Sequence, residues 1–258
     1  MNLASLKIAL SKTTMGDLRF YERVGSTNDI ALQWAQEKGV RDFSLVVANE
    51  QKAGRGRSGR HWETPPDCAL AFSLLLLPKS DEAKNISRFT GLAALGVTSA
   101  LEKQFSLHPK IKWPNDILLS GKKLAGILVE TSWLGDQLQG IVIGIGINIY
   151  RAAVPPADRL QFPATSLEDE VGALIAREKI LHDILDAIQE GRPGLGRAET
   201  VAAWTERLAF RSEQVEIRGG TGQVIRGRLL GINQDGSLRL DTHPSIRFGD
   251  VHLRPMQV

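Results

Sequence analysis

Hydrophobic and polar positions divide the chain into a long mixed part and a shorter β-patterned tail. Residues 17–24 read as a strand, with Leu18, Phe20 and Val24 apolar. Ser26-Thr27-Asn28-Asp29 then offers N-cap chemistry for a helix through Ile30, Ala31, Leu32, Trp34 and Ala35, stopped by Gly39. A second strand is expected over 44–49. Residues 69–77 are nearly all apolar, as in a strand covered on both faces, and Pro78 ends the run. Helical spacing follows over 82–105, through Ile86, Phe89, Leu92, Leu95, Val97 and Leu101. Strands over 117–119 and 124–130 flank Ser120-Gly121, which predicts a hairpin, and 140–149 is another buried-type strand.

Beyond Tyr150 the texture changes. Pro155-Pro156 and Pro163 mark a loop, and helices are expected over 166–189 and 198–208. From about Gln214 the pieces are short, β-patterned and rich in glycine: 215–218, 224–230, 237–240 and 246–253. Asp235-Gly236 is a turn signal between two of them. This predicts an α+β domain over 1–209 and a small β-barrel over 210–258.

Composition adds exclusions. The 258 residues are 42% hydrophobic and 24% charged, which excludes collagen-like and low-complexity chains. Cys68 is the one cysteine, so no intrachain disulfide or multi-cysteine metal cage can form. No apolar run approaches the ~20 residues of a membrane span. Lys7 interrupts the apolar start, making a poor signal peptide. The expectation is a cytoplasmic protein with no membrane association.

The formal charge of +3 is local in origin. Lys52, Arg55, Arg57 and Arg60 lie together with no acid among them, and without these four, 28 basic residues face 29 acidic ones. Such a distribution favours an anion site over a surface that coats nucleic acid. Within Gly54-Arg55-Gly56-Arg57-Ser58-Gly59-Arg60-His61-Trp62 the dinucleotide pattern G-x-G-x-x-G occurs after a strand. Glu63-Thr64-Pro65-Pro66 follows in place of the helix that a dinucleotide site needs. Three arginines among glycines can meet an anion with side chains and amides alike. A solvated surface loop and an RNA-binding Arg-Gly segment are the alternatives.

A second motif is Lys112-Trp113-Pro114-Asn115-Asp116, followed by Lys122-Lys123-Leu124-Ala125-Gly126. A lysine, an amide and a carboxylate around a proline turn, then paired lysines, can hold a phosphate together with a divalent ion. The bland reading puts Trp113 in the core and Lys122 in solvent. Gly144-Ile145-Gly146-Ile147-Asn148 ends a buried strand and reads equally well as a tight packing site. No G-x-x-x-x-G-K-[ST] phosphate loop is present, and the five histidines lack metal-ligand spacing.

Taken in order and spacing, Ser26-Thr27-Asn28, Gln51 with the Gly/Arg run and Trp62, Lys112–Asp116, the stretch from Lys123 to Glu130 and Gly144–Asn148 resemble the biotin–protein ligases, closely so over 20–148. The resemblance implies a catalytic domain related to class II aminoacyl-tRNA synthetases and lipoate ligases, with an SH3-like C-terminal domain. It also implies activation of biotin by ATP with Mg²⁺, giving biotinyl-5′-AMP. Transfer to a lysine of a biotin carboxyl carrier protein, of acetyl-CoA carboxylase or a related carboxylase, follows.

The chemistry implied brings two anions together, with a repulsion of about 4 kcal/mol per charge pair at ~4 Å and an effective dielectric of ~20. Arg55, Arg57 and Arg60 answer it, with Arg57 placed by the motif on both carboxylate and phosphate. Lys123 would meet the biotin carboxylate and then the mixed anhydride. Lys112, Asn115 and Asp116 would serve phosphate and metal, and Asn148 and Arg254 the nucleotide. Asp116 is also the carboxylate that would help keep the acceptor amine neutral. Ser26, Thr27, Asn28, Gln51, Arg55 and Gly56 would hold biotin, whose neutral ureido ring needs donors and acceptors.

The competing readings are a lipoate or octanoate ligase and a non-enzymatic nucleic-acid-binding protein, and both monomer and homodimer stay open. Some members of the resembled family carry an operator-binding winged helix-turn-helix, which needs three helices and a hairpin. Residues 1–16 have room for one short helix, from Leu3 to about Leu10, and the segment has two basic residues, Lys7 and Lys12. An enzyme without specific DNA binding is expected.

Overall fold

The structure is a computed structural model. It describes residues 1–79, 82–172, 174–219, 223–247 and, as backbone, 252–255. Its elements run α1 (Leu3–Ala9), β1 (Leu18–Val24), α2 (Thr27–Trp34), β2 (Ser44–Gln51), β3 (Ala69–Leu76), α3 (Ile86–Phe105), β4 (Lys110–Lys112), β5 (Asp116–Leu119), β6 (Lys122–Leu134) and β7 (Gln137–Asn148). After these come α4 (Leu167–Val171), α5 (Arg177–Gly191), α6 (Ala198–Glu206), β8 (Gln214–Arg218), β9 (Val224–Ile232), β10 (Leu238–Leu240) and β11 (His252–Pro255).

A seven-stranded mixed sheet in the order β1-β2-β3-β7-β6-β5-β4 organises the larger part. β1 and β2 pair in parallel and the remaining neighbours are antiparallel. The two-residue side-chain period of a strand explains why the central strands read as unbroken apolar runs. Val46, Leu75 and Val142 face α2 and bury Ala31, Trp34 and Ala35. Their neighbours Leu45, Val47, Leu74, Leu76, Ile141 and Ile143 enter the main core with Phe89, Val97 and Leu101 of α3 and Ile184 and Ile188 of α5. Ser120 and Gly121 both have positive φ, 49° and 75°, as a two-residue hairpin turn requires.

A four-stranded antiparallel sheet, β10-β9-β8-β11, forms the C-terminal part. The chain leading to it lies along the β4 edge, where the Ile111 N–H donates to the Arg207 carbonyl (2.7 Å) and Ala209 N–H to that of Ile111 (2.9 Å). Its Asp235-Gly236 turn rests on the start of α3 and on Trp113. Ser87 donates to the Asp235 carbonyl (2.6 Å), Arg88 to that of Gln234 (2.6 Å) and the Trp113 indole to that of Gly236 (3.1 Å).

Several expectations change. The single helix over 166–189 is two, because Gly172 adopts φ 63° and closes α4 with its N–H on the Glu168 carbonyl. The helix after Ser26 ends at Trp34 rather than at Gly39, which forms a later turn with φ 79°. Ser26 occupies the N-cap position of α2 without a capping bond from its side chain. The Gln51 carboxamide accepts from the Thr27 N–H instead (2.8 Å). The expected strand over 246–253 is an isolated bridge at Ile246 and a separate β11, and residues 248–251 lie outside the described residues. No helix among the described residues is long and apolar enough to cross a membrane.

Candidate active site

Strand ends and the Gly/Arg loop form the walls of an open cleft. Its lining brings together Ser26, Thr27, Asn28, Gln51, Arg55, Gly56, Arg57, Arg60, Asn115, Asp116 and Lys123. Residues separated by almost a hundred positions converge because β2, β3, β7, β6 and β5 are successive neighbours in one sheet.

The loop after β2 folds as an irregular hairpin. Gln51 N–H meets the Thr64 carbonyl (3.3 Å), Trp62 N–H that of Gly54 (2.9 Å) and Gly56 N–H that of Arg60 (2.6 Å). Trp62 lies back over β6 and β7, beside Gly126 and Gly146. The two glycines of the strand motif make room for side chains. A Cβ on Gly146 would occupy the Trp62 indole, and one on Gly144 the Asn28 carboxamide.

Lys123 and Arg55 are each paired with carboxylates. Lys123 Nζ meets Asp116 Oδ1 at 2.7 Å on the two strands of the Ser120-Gly121 hairpin, and lies 5.5 Å from the Trp62 ring centroid. Asn115 donates to the Ile127 carbonyl (2.8 Å), fixing the turn that precedes Asp116. Arg55 reaches across the loop to Asp29 and to Glu130 Oε2 (2.7 Å). Burial works against its charge, but the hydrogen bonds it donates to Glu130 and Asp29 outweigh it and hold the guanidinium pKa above its ordinary value. Arg60 is exposed and donates from Nε to the Arg57 carbonyl (3.2 Å).

Two expected site residues lie beside the cleft rather than in its lining. Lys112 is buried with its ammonium 3.8 Å from the Phe162 ring centroid. Asn148 is buried and donates to the Thr165 carbonyl (3.1 Å). The segment carrying Phe162 and Thr165 is itself tied to Lys123, through Lys123 N–H to the Pro163 carbonyl (2.7 Å) and Thr165 N–H to that of Lys123 (2.9 Å). Both residues therefore face one wall of the same region. Arg254 falls in β11, where side chains lie outside the described residues.

Sequence reasoning passed over Phe162, Ser73 and the role of Glu130. Phe162 sits in a proline-rich loop with no periodicity to mark it. Ser73 carried a signal, being the lone hydroxyl inside the apolar run of β3. It is fully buried, with its Oγ 2.5 Å from Asn28 Oδ1 and 2.8 Å from Thr27 Oγ1.

A cleft with arginines, a lysine–aspartate pair and neutral donors and acceptors can bind an uncharged polar ring and juxtapose two anions. The profile of the Biotin/lipoate A/B protein ligase family matches residues 20–148. The chain is 35% identical to the biotin–[acetyl-CoA-carboxylase] ligase of Paracoccus denitrificans, over 84% of this chain and 91% of that one. It is 38% identical to the bifunctional ligase/repressor BirA of Salmonella typhimurium, over 95% of this chain and 76% of the other. Among solved structures, the biotin protein ligase of Aquifex aeolicus in complex with biotin and ATP superposes with a TM-score of 0.79 at 28% identity, over 93% of this chain and 99% of the other.

Proposed function

The chain belongs to the biotin/lipoate A/B protein ligase family, and from that premise we propose that it activates biotin with ATP and transfers it to a lysine of a biotin carboxyl carrier protein. The observation that carries the reading is the cleft itself. Its lining combines neutral polar groups, Ser26, Thr27 and Gln51, with the charged Arg57, Lys123 and Asp116.

In the first step a biotin carboxylate oxygen attacks the α-phosphorus of ATP, forming biotinyl-5′-AMP and releasing pyrophosphate. Arg57 and Arg60 stand on the loop where they can neutralise carboxylate and phosphate together, and Lys123 approaches from the hairpin opposite. Lys112 and Asn148, on the wall formed with Phe162 and Thr165, are assigned to the nucleotide. In the second step the acceptor amine attacks the biotinyl carbonyl and AMP leaves. Asp116 is the carboxylate assigned to take the proton that this amine sheds.

Asp116 is the one carboxylate in the cleft lining among the described residues. That set suits Mg²⁺, which is commonly held by one or two carboxylates and by substrate phosphates. Asp116 with Asn115 would hold the ion, which when bound supplies positive charge to the phosphate oxygens.

The C-terminal unit over 210–258 is read as an SH3-like domain that buttresses the 1–209 domain through Trp113. The concentration of basic charge at the cleft supports a ligase role without specific DNA binding, and the chain is read as acting in the cytoplasm. Incubating the chain with biotin, ATP and radiolabelled pyrophosphate tests the first step. Biotin-dependent exchange of pyrophosphate into ATP is expected, and exchange driven by octanoate but not biotin would overturn the assignment.

A further inference from the structure

Glu130 stands where two networks meet. Its Oε2 accepts from Arg55 Nη2 (2.7 Å) and from Asn28 Nδ2 (2.7 Å), so one carboxylate on β6 holds both the arginine loop and the first turn of α2. From Asn28 a chain of hydrogen bonds continues beneath the cleft. Asn28 Oδ1 contacts Ser73 Oγ, Ser73 Oγ contacts Thr27 Oγ1, and Thr27 Oγ1 lies 3.1 Å from Gln51 Oε1. Gln51 Nε2 donates to Thr64 Oγ1 (3.1 Å), at the far end of the same loop.

Counting protons gives this chain a direction. A carboxylate only accepts, so the Asn28 amide must turn its NH₂ toward Glu130, and the second N–H goes to the Leu128 carbonyl (3.3 Å). Asn28 therefore presents its oxygen to Ser73, whose single proton is committed to that 2.5 Å contact. Ser73 Oγ lies 2.8 Å from Thr27 Oγ1, and Thr27 Oγ1 donates onward to Gln51 Oε1 (3.1 Å), which also accepts from the Thr27 N–H. The relay therefore ends on Thr27 and Gln51 in the lining of the cleft.

We propose that Glu130 is a positioning residue of the site: it tethers the arginine loop through Arg55 and, through Asn28 and Ser73, holds Thr27 and Gln51 in place at the cleft wall. The guanidinium of Arg55 is then a tether and not a substrate contact. The second half of the proposal rests on the biotin reading, since a cyclic urea offers N–H groups and an octanoyl or lipoyl chain offers none. The tether holds whatever the ligand.

Two variants of the full chain separate the roles. Glu130→Gln keeps shape but removes the charge and can offer either end of its amide to Asn28. Ser73→Ala breaks the relay and leaves Arg55 and Glu130 paired. KM for biotin and for ATP would be measured in pyrophosphate exchange, with trypsin cleavage of the loop in ligand-free protein and thermal melts alongside. E130Q is expected to raise the biotin KM about tenfold, to raise the ATP KM as well through the loosened Arg57 and Arg60, and to speed loop cleavage several-fold. S73A should raise the biotin KM likewise with cleavage at the parent rate. Parent-like biotin KM in E130Q, or loss of activity that only follows melting temperature in both variants, would overturn the relay. Parent-like cleavage in E130Q would overturn the tether. Absence of biotin-dependent exchange in the parent chain would instead sink the biotin reading, while the cleavage comparison still decides the tether.

Discussion

Adding one methyl group at Gly146 or at Gly144 should injure the protein in different ways, although the two positions share one face of β7. At Gly146 a Cβ would lie 2.9 Å from Trp62 Cζ2 and closer still to two other indole atoms. At Gly144 it would lie 2.8 Å from Asn28 Cγ, and closer to its oxygen. Forcing extra volume into packed structure costs about 1–3 kcal/mol. What yields decides where that cost appears. Trp62 is half-buried on a loop, and its indole N–H has no hydrogen-bond partner, so the ring can swing away. Gly146→Ala should therefore melt near the parent temperature and bind biotin about 5- to 150-fold more weakly, the same 1–3 kcal/mol read in affinity. Asn28 is buried and bonded to Leu128, Glu130 and Ser73, so it cannot move without leaving polar groups unpaired. Gly144→Ala should lose about 3 kcal/mol of stability, a fall of roughly 6–12 °C in Tm for a chain of this size. Thermal melts beside isothermal titration with biotin separate the two. Equal Tm losses in both variants, or parent affinity in Gly146→Ala, would refute the reasoning.

Arg57→Ala removes the charge assigned to the meeting anions, and adenylate formation followed by pyrophosphate exchange should fall about 30- to 1000-fold. Lys123→Gln should weaken biotin binding and adenylation while leaving the melt almost unchanged; a large stability loss with normal activity would make this lysine a structural residue. Arg192 is buried and bonded to Glu82, Asp42 and the Leu77 carbonyl, so Arg192→Met should cost about 3–5 kcal/mol in urea melts at pH 7. Burial pushes the Glu82 carboxyl up, but its bonds to Arg192 pull it further down, to below its ordinary 4.5. Its contribution is therefore complete above about pH 4.5 and fades as pH falls through the lowered value, so the gap between parent and Arg192→Met should narrow in acid.

What could be read from the sequence was local. The apolar runs of β3 and β7 and the Ser120-Gly121 turn announce themselves because each depends on neighbouring residues. The cleft residues of the Gly/Arg loop and of the Asn115–Lys123 hairpin were found for the same reason, through compact motifs. Long-range partners were not legible. Gln51 caps α2 from the far end of the next strand, 24 residues along the chain from Thr27, and no local pattern assigns it that duty. Gly172 breaks a helix that the spacing of Leu167 and Ile180 would carry through, since a positive φ overrides periodicity. Lys112 and Asn148 lie against a loop whose Phe162 and Thr165 have no signature, so only the tertiary structure puts them at one wall.

Transfer to a carrier tests the central claim most directly. The purified chain would be incubated with the unmodified carrier domain of a biotin-dependent carboxylase, and the carrier weighed by intact mass spectrometry. One biotinyl group on one lysine is expected, appearing only when ATP and biotin are both present. An unmodified carrier, or one that gains an octanoyl or lipoyl group from the corresponding acid and none from biotin, would contradict the account.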